Sequence, residues 1–176
     1  MARNNRRGRK RAASDSTGVR HGKAKRGGER VNLKPVMTAG DVIAMLDKEF
    51  PQIHDGGQCY FIEAIGEGTA SVRLHASDRH LRPGGTVSGP SMMALADLAA
   101  YAVILAHIGP VALAVTTNLN INFLNKPEPG DIVADCRLLK LGKRLAVTES
   151  RLHSVASDTL VAHATATYSI PPRPTT

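Results

Sequence analysis

Apolar and polar positions change rhythm several times along the chain, and each change marks an element. Behind a Thr38-Ala39-Gly40-Asp41 cap, Val42, Ile43, Met45, Leu46 and Phe50 recur at helical spacing until Pro51 stops the run. Two runs of strand character follow at 58–66 and 69–76, joined by a Gly66-Glu67-Gly68 turn. In the second, Ala70, Val72 and Leu74 alternate with Ser71, Arg73 and His75, which predicts one dry face and one wet face. A polar loop, 77–89, leads to a segment where alternation disappears. From 90 to 106 the chain is almost wholly apolar, with Met92, Met93, Leu95, Leu98, Val103, Ile104 and Leu105 among many alanines. It predicts a helix opened by Pro90 at its first position, where a missing N–H is tolerated. With no water-facing stripe, that helix is expected to be buried on most sides. Beyond Gly109-Pro110 come four more strand-like runs, at 112–124, 131–141, 144–154 and 159–170, separated by turn-forming residues such as Gly142-Lys143.

The order is therefore helix, two strands, long apolar helix, four strands. Strands grouped around few helices predict an α+β fold, with an antiparallel sheet curled around one central helix, rather than a chain of βαβ units. The central helix is about as long as the ~20 apolar residues a membrane span needs. Its alanine content, the charge of Asp97 near its middle and its isolation in an otherwise alternating chain argue for a core helix and against stable membrane insertion.

Charge changes the picture only at the N-terminus. The formal charge of +8 divides unequally: residues 1–34 hold 12 Lys/Arg against Asp15 and Glu29, a net +10, whereas 35–176 hold 11 against 13 acids, a net −2. The chain therefore reads as a basic tail, 1–34, followed by one domain, 35–176, long enough for a real core. The tail has too little apolar surface to offset ordering entropy and is expected to be disordered. Two readings of it stay open: weak, salt-sensitive contact with nucleic acid or an anionic membrane, or a solvated, dispensable extension. No apolar stretch follows the tail closely enough to form a secretory signal, and Cys59 and Cys136 lack metal or redox spacing, so a cytoplasmic location is expected.

Candidate chemistry converges on one carboxylate. Asp97 is the single charge of the apolar helix, and a carboxylate there needs partners or has an unusual pKa. A structural Asp satisfied by its neighbours and a catalytic one both fit. The histidines show no metal-ligand spacing, no phosphate-binding loop or dinucleotide fingerprint occurs, and Ser88 lacks the G-x-S-x-G pattern of a nucleophile elbow.

The stretches GGTVSGPSMMALAD, VTTNLNINFLNKPEPGD and LLKLGKRLAVTESRL together resemble the hotdog-fold acyl-CoA thioesterases of the phenylacetate-pathway type, over about 41–170. The resemblance implies a hotdog fold, an acyl-CoA substrate, no cofactor and no metal, and assembly as a homodimer or homotetramer whose sheets join. It implies that Asp97 is nucleophile or general base, and that the Gly89 backbone N–H polarises the thioester carbonyl. Thr116 falls where relatives hold the attacking water. The chain departs from the family at two points. The usual His-Gly-Gly reads Ser88-Gly89-Pro90, and Arg82 stands where many relatives have Asn. Those departures keep a second reading open, a noncatalytic acyl-CoA-binding protein on the same scaffold. Arg82 and Ser88 beside the helix start, and Lys140, Lys143 and Arg144 around the Gly142 turn, are the candidate substrate contacts, the last three for nucleotide phosphates. A solvated hairpin tip explains those three equally well. Met92, Met93 and Tyr101 are candidates for an acyl pocket or plain core. Finally, eight helical residues separate Gly89 from Asp97, about 12 Å at 1.5 Å per residue. One thioester group does not easily touch both on one helix, so a catalytic site is expected to be shared between two subunits.

Overall fold

A computed structural model describes residues 33–172. The basic tail lies outside them up to residue 32, and so do 173–176. Leu33, which charge counting assigns to the tail, packs against the core, and its carbonyl accepts the Gly68 N–H (3.1 Å).

Helix α1 spans Ala39–Glu49 and begins as its cap residues dictate. The Asp41 N–H donates to Thr38 Oγ1 (3.2 Å), and the Thr38 N–H returns a bond to Asp41 Oδ2 (2.8 Å), satisfying two end donors reciprocally. After a short 3₁₀ turn at Pro51–His54, strands β1 (Tyr60–Gly66) and β2 (Thr69–Leu74) form the expected hairpin, turned at Gly68 with φ +67°. The 77–89 stretch is more ordered than a polar loop. It holds a 3₁₀ turn at Asp78–His80 and a small hairpin, β3 (Leu81–Arg82) with β4 (Thr86–Val87). Gly84 and Gly85, at φ +95° and +71°, supply backbone conformations other residues adopt with strain, and this closes the hairpin.

Helix α2, Gly89–Ile108, starts one residue earlier than the proline suggests. Ser88 is the N-cap, its hydroxyl accepting the Ser91 N–H (3.3 Å), so Gly89 takes the first helical position and Pro90 the second. Strands β5 (Val115–Phe123), β6 (Ile132–Leu141), β7 (Leu145–Ser154) and β8 (Leu160–Ser169) follow. The main sheet has the order β1-β2-β6-β7-β8-β5 and is antiparallel throughout. Its inner face presents small residues to α2: Ala134 and Cys136 from β6, Ala146 and Ser150 from β7, Ala162, Ala164 and Ala166 from β8. Against the helix alanines these allow close approach, and Leu95, Val103, Ile104 and Leu105 fill the remaining space at essentially zero exposure.

As expected, α2 is covered on most sides, and one stripe is left open. Met93 is 39% exposed, Pro90 and Ala94 are exposed, and Asp97 and Tyr101 are partly so. At i, i+3, i+4, i+7 and i+11 these positions share one face of the helix. The sheet stops at β5, which pairs with β8 on one side only, and β5 itself is largely exposed, with Val115 at 53% and Phe123 at 50%. An apolar helix stripe and a free sheet edge thus lie side by side.

The outer face of the sheet is polar. Glu149 receives His163 Nε2 (2.8 Å) and Arg137 Nε (2.6 Å), and these partners, His163 first, hold its carboxyl below the usual 4.5. A depressed acid stabilises the fold above the unfolded-state pKa and loses that contribution as pH falls through its folded-state value. The melting-temperature gap between wild type and Glu149→Gln is therefore expected to be full at neutral pH and to close below about pH 4.5. A gap constant down to pH 3 would remove the electrostatic account.

Candidate active site

Asp97 lies mid-way along α2 on the uncovered stripe, partly exposed rather than buried as expected. Two hydroxyls converge on one of its oxygens: Thr116 Oγ1 donates to Oδ1 at 2.7 Å, and the Tyr168 hydroxyl reaches the same atom at 2.7 Å. The sheet register explains the convergence. Thr116 of β5 and Tyr168 of β8 are direct cross-strand partners, so their side chains project from the same face toward the helix. Tyr168 is 2% exposed, and its ring stacks on Tyr101 with centroids 6.1 Å apart and planes 16° apart. Burial first, and the Asp97 charge second, push its phenol far above the ordinary range, so it keeps its proton. Among the described residues no hydrogen bond engages Asp97 Oδ2. A cleft of about 590 Å³ opens beside Asp97 and is walled mainly by Phe50, Ile53, Tyr60, Leu98 and Tyr101. Tyr101 closes one side, with its hydroxyl fixed on the Ala112 carbonyl (2.9 Å).

Gly89 belongs to a second recess, of about 390 Å³, which it shares with Arg82, Met92, Phe123 and Lys126. As the first residue of a 20-residue helix, Gly89 has an N–H with no intrahelical acceptor, and no described hydrogen bond uses it. The helix dipole adds partial positive charge at that point. A side chain at position 89 would meet the Phe123 ring, 3.1 Å from a Cβ built there, so glycine also permits this close packing. Ser88 is engaged in capping: its hydroxyl meets both the Ser91 N–H and Ser91 Oγ (2.8 Å). Arg82 is exposed and makes no ion pair among the described residues.

One chain therefore separates the sequence-predicted residues into two groups. Asp97 and Thr116 stand at the start of β5, whereas Gly89, Ser88 and Arg82 stand toward its end, beside Phe123. Lys140, Lys143 and Arg144 are exposed around the β6–β7 turn. The pairings Leu145↔Ser169 and Val115↔Ser169 put that turn at the Asp97 end of the sheet. Of the candidate acyl-pocket residues, Tyr101 lines the Asp97 cleft, Met92 the Gly89 recess, and Met93 the exposed stripe. The residue sequence reasoning missed is Tyr168. Its signal is present in β8, where Ala162, Ala164, Ala166 and Tyr168 alternate inward and only the last carries a polar tip.

A Pseudomonas aeruginosa protein named "Putative esterase PA0474" is 33% identical over 114 residues, which cover 64% of this chain and 83% of that protein. The crystal structure of a "putative thioesterase" from Silicibacter sp. TM1040 superposes with a TM-score of 0.74 at 48% identity, covering 81% of this chain and 97% of the other. Residues 84–161 match the thioesterase superfamily. The chain belongs to that family. The thioesterase has the hotdog fold, with α2 as the helix its sheet enwraps, and membership gives the protein its general chemistry, hydrolysis of a thioester. The Streptococcus mutans protein smu.793, solved bound to acetyl CoA, shares the fold with a TM-score of 0.58 at 21% identity, over 66% of this chain and 91% of that one.

Proposed function

We propose that this thioesterase hydrolyses acyl-CoA thioesters at a site completed by a second copy of the chain. The observation that carries the reading is the position of the two half-sites at opposite ends of one free strand. If two β5 edges pair antiparallel about a two-fold axis near Leu119, the middle of the strand, Thr116 of one copy lies beside the Phe123 end of its partner. Asp97 of the first copy then faces Gly89 of the second. The same pairing covers the Met93 and Ala94 stripe and the exposed Val115 and Phe123 side chains, and it satisfies the unpaired strand edge. The whole dimer has two equivalent sites.

The chemistry then follows from the residues. Thr116 uses its proton on Asp97 Oδ1, so its lone pairs are left to accept from a water. That water donates its second hydrogen toward Asp97 Oδ2. Asp97 removes the proton as the oxygen attacks the thioester carbon, acting as general base. Negative charge gathers on the former carbonyl oxygen, where the partner's α2 N-terminus, through the Gly89 N–H, stabilises it. Collapse of the tetrahedral intermediate breaks the carbon–sulfur bond, and the proton held by Asp97 passes to the departing thiolate. Water and thioester become acid and thiol. The apolar cleft beside Asp97 suits the acyl group, and the cationic β6–β7 turn at the same end suits the phosphates of coenzyme A. The acetyl-CoA complex of the Streptococcus mutans protein supports a ligand of this type. A cytoplasmic setting is part of the proposal, and the buried free thiols Cys59 and Cys136 are compatible with it.

The test is thiol release from a panel of short, long and aromatic acyl-CoAs by the purified protein. Turnover on part of the panel is expected, and its profile names the acyl class. No turnover on any member, with thermal stabilisation by the same compounds, would replace the enzyme by a noncatalytic acyl-CoA-binding protein.

A further inference from the structure

Asp97 has two carboxylate oxygens, and the surrounding side chains treat them differently. Oδ1 takes both hydroxyl donors, Thr116 and Tyr168, each at 2.7 Å, whereas Oδ2 takes none among the described residues. The Tyr168 hydroxyl also lies 3.0 Å from the Asp97 carbonyl oxygen, so one phenol touches the residue at backbone and side chain together. That phenol is held on three sides. Its backbone pairs with Thr116 in β5 and Ala146 in β7, its ring stacks on Tyr101, and it is 2% exposed. A group so confined cannot turn away from the carboxylate.

We propose that Tyr168 is the positioning residue for Asp97: its phenol proton pins Oδ1 against the sheet and presents Oδ2 to water and substrate. This role rests on Asp97 being the base described above. A base works only when its free oxygen is aimed at the proton it takes. Thr116 alone leaves the carboxylate free to rotate about its Cβ–Cγ bond. A second donor from β8 converts a hinge into a fixed plate. The other titratable groups around the cleft are Tyr101 on α2, Glu49 at the end of α1 and Tyr60 on β1. Glu49 is the one additional charge in the lining, and it pairs with Lys48 (3.0 Å). Among the described residues no cation lines the cleft to take over the work of the phenol.

The test compares wild type, Tyr168→Phe and Glu49→Gln by two readouts. Phe keeps the ring, the stacking and the packing, and removes only the hydroxyl. The first readout is the crystal structure of each protein, read at the Asp97 carboxylate. In Tyr168→Phe the carboxylate is expected to leave its wild-type plane or to spread over more than one rotamer, and in Glu49→Gln to stay where Thr116 and Tyr168 hold it. The second is the split between kcat and KM in acyl-CoA hydrolysis. In Tyr168→Phe kcat is expected to fall about ten-fold with KM little changed. A Tyr168→Phe protein with a lower melting temperature but an unmoved Asp97 carboxylate and wild-type kcat would overturn the proposal and leave Tyr168 a packing residue. The first readout needs no turnover, so absence of hydrolysis by wild type would refute the base assignment while the carboxylate position still decides what Tyr168 does.

Discussion

Asp97→Asn is expected to lower kcat for thioester hydrolysis by about 10²–10⁴-fold, the range for removal of a general base. The substitution is nearly isosteric, and an amide oxygen can still accept the Thr116 and Tyr168 hydroxyls that the carboxylate accepts at 2.7 Å. The dimer and the fold are therefore expected to survive, and KM to change little, because the lost interaction operates mainly in the transition state. The measurement is kcat and KM on whichever acyl-CoA wild type prefers, with light scattering to confirm the oligomer. Turnover within about two-fold of wild type would remove Asp97 from the chemistry, since no general base contributes so little.

Gly89→Pro should be nearly as damaging for a different reason. Proline at 89 deletes the backbone N–H while fitting the helix start, where an N–H has no acceptor and a fixed φ is tolerated. Ser88 already has the extended backbone, φ −75° and ψ 153°, that a residue before proline prefers. Loss of one oxyanion donor is worth about 10²–10³-fold in kcat. The Phe123 ring, 3.1 Å from the new Cβ position, must yield slightly, and Gly89→Ala controls for this because it adds the same carbon and keeps the N–H. Gly89→Ala is expected to retain most activity, and if it is as inactive as the proline variant, the donor role is lost. The shared site adds a sharper test. Mixing Asp97→Asn with Gly89→Pro and allowing subunits to exchange makes half the dimers mixed, and each mixed dimer has one intact site and one doubly damaged one. About a quarter of wild-type activity should return from two inactive proteins. A site confined to one chain would return none.

How far the residues announce these arrangements depends on the range of the interaction. Helix α1 is legible because its determinants are neighbours: Thr38 and Asp41 cap each other across one turn, and Pro51 cannot continue. The strands are legible because β7 alternates over all ten of its residues and β6 and β8 over most of theirs, as a pleated element requires. Asp97 stands out as the one charge in an apolar helix. The role expected of Thr116 comes from family resemblance alone and that of Gly89 from resemblance together with its place at the helix start, and the departures at Ser88 and Arg82 are equally plain to read. The loop 77–89 was harder. Its hairpin is only two residues per strand, too short for a periodic signal, and Gly84 and Gly85 alone hint at it.

Tyr168 shows where that reading ends. Its contact with Asp97 spans 71 positions and exists only because β5 pairs with β8 in a register that sets Thr116 opposite Tyr168. Alternation predicts that Tyr168 faces inward but does not say which part of α2 it meets. The open stripe on α2 has the same origin. Apart from Asp97 the helix is apolar on every side, so a single residue marks the side the sheet leaves bare and nothing local shows how far that stripe extends.

The sequence by itself determined the kind and order of the elements, the inward and outward faces of the strands, and the identity of the acid and the helix-start glycine. These follow from backbone propensity, capping and side-chain periodicity, which act over a few residues. Tertiary structure decided that β5 is an edge strand, that Tyr168 and Thr116 share one oxygen of Asp97, and that Gly89 and Asp97 line separate recesses of one chain. Those facts depend on strand register and on where the sheet stops, which are set by the joint packing of distant segments around α2.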